Sequence, residues 1–73
     1  MSYQVEDEIK ARMKVVGLTA RDLANVLHEP PGTVSNRLNG FIPLSFNQRH
    51  AILEKLRVEE ERKRLVEREE AQL

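Results

Sequence analysis

The stretch Leu18–Gly40, LTARDLANVLHEPPGTVSNRLNG, decides the fold. It reads as two short helices joined by a tight turn. Thr19 is placed to N-cap the first helix, with Asp22 three residues on in the capping-box position. Leu18 and Leu23 stand at N′ and N4, where a hydrophobic staple forms. Leu23, Ala24 and Leu27 share one face at helical spacing, and Ala24 is small enough to let another helix approach closely. The chain must leave the helix before Pro30-Pro31, because a residue preceding proline avoids the α region. Pro31 then suits the first turn of a second helix, where its missing N–H is not needed. Gly40 suits the C′ position that ends it.

On a helical wheel Val34 and Leu38 lie about 40° apart and define the inward face of this second helix. Gly32, Asn36 and Asn39 then point outward with Thr33 beside them, and Arg37 lies on the flank. The helix carries no acid, and none occurs anywhere between Glu29 and Glu54.

Outside this unit, residues 1–17 read as a first helix with Ser2 as its cap. Val5, Ile9, Met13 and Val16 recur at spacings of four, four and three and form an apolar stripe toward the core. Glu6, Asp7 and Glu8 near its start, and Lys10, Arg12 and Lys14 toward its end, complement the helix dipole. After the second motif helix, Phe41, Ile42, Pro43 and Leu44 read as an apolar loop folded over the core. Ser45 caps a further helix, with Gln48 in capping-box position and Phe46, Ile52, Leu53 and Leu56 turned inward.

From Arg57 the chain changes character. The segment RVEEERKRLVEREEAQL has no Gly or Pro and is dense in both charges. Pairs Glu59–Lys63, Glu60–Arg64 and Lys63–Glu67 at i, i+4 each add about 0.2–0.5 kcal/mol to a helix. Val58 and Leu65 stand seven apart, and Val66 adds to a broken apolar line. These three are the expected dimer contact. The expected architecture is therefore all-α: a compact four-helix helix-turn-helix domain over residues 1–56, with a charged helical extension over 57–73.

Composition removes other classes. At 73 residues there is room for one domain and one modest core, and 4% aromatic content suits a small aliphatic helical core. There is no cysteine, which excludes disulfides, thiol catalysis and Cys-based zinc sites and fits a reducing compartment. No apolar run approaches the roughly 20 residues of a membrane span, and no basic-then-apolar leader opens the chain, so the expected location is the cytoplasm. His28 and His50 have no ligand-spaced partners, no Gly-rich phosphate loop is present, and the carboxylates are explained by caps, dipoles and helix pairs. No enzymatic activity, metal or cofactor is expected.

Net charge is zero, yet residues 1–57 hold eight basic against six acidic side chains, leaving +2. An acid-free helix of small hydroxyl and amide side chains suits a polyanion with readable edges: Asn pairs with adenine, and Ser or Thr serve bases or phosphates.

The stretch resembles the helix-turn-helix of the lambda repressor and Cro type, a family of small all-helical phage and bacterial regulators. The carrying residues are Leu18-Thr19, Leu23-Ala24, Leu27, Thr33-Val34-Ser35 and Leu38-Asn39-Gly40, and the likeness spans roughly residues 9–56. It implies double-stranded DNA binding by a homodimeric transcription regulator, with the second motif helix, about residues 31–39, in the major groove. The family's base-contacting positions fall on Pro31, Gly32 and Asn36, and its phosphate-contacting positions on Ala20 and Asn39. His28 stands where the family's turn usually has Gly, and Arg37 where an apolar residue often packs. Combining resemblance and residue chemistry, Gly32, Thr33, Ser35 and Asn36 are the expected base contacts. Thr19, Arg37, Asn39 and Arg49 are the expected phosphate contacts. The alternative is a protein-interaction module on the same scaffold, which binds a partner protein through Phe41–Leu44 or the charged helix. The neutral total charge and the Pro31-Gly32 pair favour that alternative.

Overall fold

The computed structural model describes residues 5–72; Ser2, Leu73 and the Val5 side chain, which entered the sequence reading, lie outside what it describes. The described chain is all-α, with α1 (Val5–Val16), α2 (Ala20–Leu27), α3 (Pro31–Leu38) and α4 (Phe46–Gln72).

Three of the four helix starts follow from local chemistry. Thr19 caps α2: its Oγ1 accepts from the Asp22 N–H at 3.4 Å, while the Asp22 carboxylate accepts from the Thr19 N–H at 2.8 Å. Ser45 and Gln48 make the equivalent box at α4, both bonds at 3.1 Å. Pro31 opens α3, with Pro30 extended ahead of it and no side chain capping the helix. At the C-terminal ends, Gly17 (φ 76), His28 (φ 56) and Gly40 (φ 83) each turn left-handed. After each, the next N–H reaches back to an orphan carbonyl: Leu18 to Met13 at 2.9 Å, Glu29 to Ala24 at 3.2 Å, Phe41 to Asn36 at 2.9 Å.

His28 is the strained member of that set. A side chain in the left-handed region costs about 1–2 kcal/mol, and glycine removes that cost while giving back some chain entropy. His28→Gly is therefore expected to stabilise the fold by about 1 kcal/mol, a rise of roughly 4–8 °C in the melting midpoint for a domain of this size. Thermal unfolding followed by circular dichroism checks this, and an unchanged or lower midpoint contradicts it.

The core draws from every element. Ile9 and Met13 come from α1, Leu23 and Ala24 from α2, Val34 and Leu38 from α3, Leu44 from the loop, and Ile52 and Leu56 from α4. The inward residues of the wheel are thus the buried ones, and Val16, Leu18, Leu27 and Leu53 pack on the margin. Two expectations fail. Phe46 is 81% exposed and Phe41 79% exposed. The loop divides, with Leu44 buried, Ile42 half-buried and Phe41 and Pro43 outside. Phe46 sits at the start of α4 about 80–120° round the helix from buried Leu56 and Ile52, and Phe41 lies in the loop just past the end of α3, so neither reaches the core.

Buried side chains in α4 stop at Leu56, Glu59 and Glu60 are half-buried, and every residue from 61 to 71 is exposed. The helix nevertheless continues. Its ion pairs differ from simple i, i+4 arithmetic: Lys63–Glu67 forms at 2.6 Å, but Glu59 takes Lys55 and Arg62, and Arg64 takes Glu61. The Glu60 side chain reaches off the helix altogether for a two-bond contact with Arg12 of α1, at 2.6 and 2.9 Å. At 27 residues α4 is about 40 Å long, which accounts for most of the 45 Å long axis. The radius of gyration is 13.6 Å, where a compact chain of this length has about 11 Å. No described helix is long and apolar enough to cross a membrane.

Candidate functional site

The site is built on α3. Val34 and Leu38 anchor its inner face, so Gly32, Asn36 and Asn39 are exposed on the outer one, while Thr33 and Ser35 are half-buried. The presented surface is narrower than the wheel suggests. It is a backbone ridge at Pro31-Gly32 followed by two amides. A Cβ added at Gly32 would meet nothing within 4 Å, so the first turn of α3 is open to close approach. With no side chain capping that turn, its N–H groups and the positive end of the helix dipole face outward.

The four expected phosphate contacts are all engaged within the chain. Thr19 is committed to its capping box, where its hydroxyl also donates to Asp22 at 3.0 Å. Arg37 is tied down most firmly. Its Nε and Nη2 donate to the two oxygens of Glu29 at 2.8 Å each, and its Nη1 donates to the Pro43 carbonyl at 2.6 Å. Gln48 Nε2 adds a further bond to Glu29 at 3.1 Å. One guanidinium thus fastens the α2–α3 turn, α3 and the following loop. Arg49 donates to Glu6 at 3.2 Å, drawing α4 toward the start of α1. Asn39, the C-cap of α3, accepts from Lys10 Nζ at 3.1 Å.

That last contact brings in residues the sequence reading assigned elsewhere. Lys10 and Lys14 of α1, Thr19 and Ala20 at the start of α2, and Leu38 of α3 line one open groove floored by Met13. Lys10 and Lys14 stand four apart on one helix face, a signal present in the sequence but equally explained by the helix dipole. Only the packing of α1 against α3 places Lys10 beside Asn39. Lys10 also lies 3.8 Å from Asp7, an exposed pair of little energetic weight.

Three carboxylates sit below their ordinary range. The Arg37 fork holds Glu29 down, hydrogen bonds from Arg12 lower Glu60, and the Thr19 backbone N–H lowers Asp22. A depressed folded-state value means the stabilisation is complete above the unfolded value and is lost as pH falls through the folded one. Stability should therefore be flat near neutrality and drop once pH goes below the ordinary glutamate value of 4.5. Chemical denaturation across an acid pH series checks this. Glu29→Gln is expected to lower stability near neutrality and to shallow the acid-side fall, and an unchanged acid limb contradicts the assignment.

On α4, Val58, Leu65 and Val66 are 52%, 49% and 49% exposed. Leu65 lies about 180° round the helix from buried Leu56, and Val58 is on the same stripe as Leu65, so this line faces away from the core. Val66 stands about 100° off it. Among the described residues no cluster of three or more His, Cys, Asp or Glu is placed to hold a metal ion.

Compared with protein-family models, curated proteins and solved structures, the chain matches none.

Proposed function

We propose that this chain is a sequence-specific binder of double-stranded DNA, a cytoplasmic transcription regulator of the repressor or Cro kind, with α3 as the element that enters the major groove. The observation that carries the reading is the pairing of an acid-free, open-faced α3 with the Lys10–Lys14 groove beside its C-terminal cap. Asn36 and the Gly32 ridge would meet base edges, with Thr33 and Ser35 at their margin. Lys10, Lys14, Asn39 and the start of α2 near Thr19 would meet the phosphate backbone. Arg37 and Arg49, whose charges are balanced by Glu29 and Glu6, would set the orientation of α3 and α4 rather than supply free charge. The resemblance of Leu18–Gly40 to the lambda repressor and Cro motif supports the same reading. A homodimer contacting through Val58 and Leu65 would present two such surfaces to paired half-sites. The proposed activity is binding, not catalysis.

The test is binding to random-sequence duplex DNA across a salt series, together with sedimentation of the free protein. A log–log slope of several units and a dimer in solution support the reading. Absence of binding even at about 50 mM salt overturns it. The second reading, a protein-interaction module, is favoured by one observation: the chain's two phenylalanines, Phe41 in the loop after α3 and Phe46 at the start of α4, are both on the surface.

A further inference from the structure

We infer that Asn39-Gly40 is a deamidation site that the α3 C-terminal motif keeps closed, and that its conversion to a carboxylate withdraws Lys10 from the surface described above. The chemical part stands on its own; the effect on binding rests on the DNA reading.

Asn39 is the one asparagine of the chain followed by glycine; Asn25, Asn36 and Asn47 precede Val, Arg and Gln. Glycine has no side chain to shield its backbone nitrogen, which makes it the least hindered nucleophile toward a neighbouring carboxamide carbon. The Gly40 nitrogen attacks Cγ of Asn39 and loses its proton. The C–N bond to the side-chain amide breaks and ammonia leaves, which closes a five-membered imide. Water then opens the imide at either carbonyl, giving aspartate or its isomer with the chain running through the β-carbon.

The folded geometry resists the first step. Asn39 is exposed but sits at φ −90 and ψ 1, which turns the Gly40 nitrogen away from Cγ. Rotating it into reach means releasing three bonds: Gly40 N–H to Arg37 O at 3.2 Å, and the Phe41 and Ile42 N–H groups to Asn36 O at 2.9 and 3.3 Å. The Arg37 bond to the Pro43 carbonyl tethers the same loop from outside. The reaction therefore proceeds through local opening of this motif and is slowed by its opening free energy.

The product changes the site. Asn39 Oδ1 already accepts from Lys10 Nζ at 3.1 Å. A carboxylate there converts that contact into an ion pair and places the only acid between Glu29 and Glu54 on the face offered to a polyanion. The isomer also lengthens the backbone by one carbon, inside the motif that ends α3.

The full chain is aged in mildly alkaline buffer, folded and in urea, and the Asn39 peptide is followed by mass for the roughly 1 Da gain of an amide-to-carboxyl exchange. Deamidation is expected to be confined to Asn39 and at least about tenfold faster in urea, the ratio for an opening free energy of about 1.4 kcal/mol. Gly40→Ala should suppress it in urea, where folding is not at issue. Equal rates in both conditions overturn the protection, and no faster reaction at Asn39 than at the other asparagines overturns the site. For the consequence, Asn39→Asp should weaken duplex DNA binding more than Asn39→Ala. Equal losses overturn the charge effect, whereas a native chain that binds no DNA fails the functional reading and leaves the mass result standing.

Discussion

Changing Lys10 and Lys14 together to glutamate is expected to weaken duplex DNA binding by roughly a hundredfold at low salt and to leave the helical content intact. Both side chains are on the surface, and the bonds they give up are slight: an exposed pair with Asp7 and one hydrogen bond to Asn39. Glutamate at position 14, in the last turn of α1, opposes the helix dipole by about 0.3–1 kcal/mol, a tolerable loss. The cost to a polyanion partner is larger. Two phosphate contacts vanish, two repulsions replace them, and the log–log salt slope should fall by about two units. Fluorescence anisotropy over a salt series reads both quantities. A folded variant with unchanged affinity and slope would move the interface off this groove, and Phe41 and Phe46 would become the next surface to test.

Leu56→Ala should have the largest effect on stability. The side chain is fully buried where α4 closes over the core. Emptying such a site costs about 2–5 kcal/mol, because the surroundings relax only partly into the cavity. A 73-residue domain has a total of only about 4–11 kcal/mol. The melting midpoint should fall by roughly 10–30 °C. Val58→Ala, two residues on but facing solvent, provides the contrast: within about 0.5 kcal/mol for an isolated chain. If copies associate through that stripe, the Val58→Ala midpoint will instead differ from the parent in its dependence on protein concentration. A Leu56→Ala protein that melts with the parent would mean that α4 does not close the core.

What could be read from the residues was what is decided locally. The Thr19–Asp22 and Ser45–Gln48 boxes, the Pro31 start and the Gly40 stop each depend on a handful of neighbouring residues, and each is present. The inward faces of α1, α2 and α3 follow from period alone. What escaped the sequence depends on distant partners. Nothing near Glu60 indicates that Arg12, 48 positions away, takes it from Arg64. Nothing near Arg37 chooses Glu29 over a bound phosphate, since either would satisfy a guanidinium fork. Phe46 carries the apolar character of a core residue and stands at the very start of α4. It is left outside because it lies about 120° round α4 from buried Ile52 and about 80° from buried Leu56, off the face the helix turns inward. At the candidate site, the outward amides of α3 were legible, whereas Lys10 and Lys14 became part of it only through the packing of α1.

The ion pair between Arg12 and Glu60 has a mechanical meaning. It grips α4 one turn past Leu56, the last buried side chain of the helix, and acts as a fulcrum. Beyond it the remaining helix, stiffened by its own charge ladder, behaves as a lever arm of about 18 Å at 1.5 Å per residue. A tilt of about 5° at the grip displaces the far end by roughly 1.5 Å, which is enough to break a hydrogen bond there. Small adjustments where α1 meets α4 are thus amplified at the tip, and a load applied at the tip is felt first at Arg12, on the same helix that carries Lys10 and Lys14.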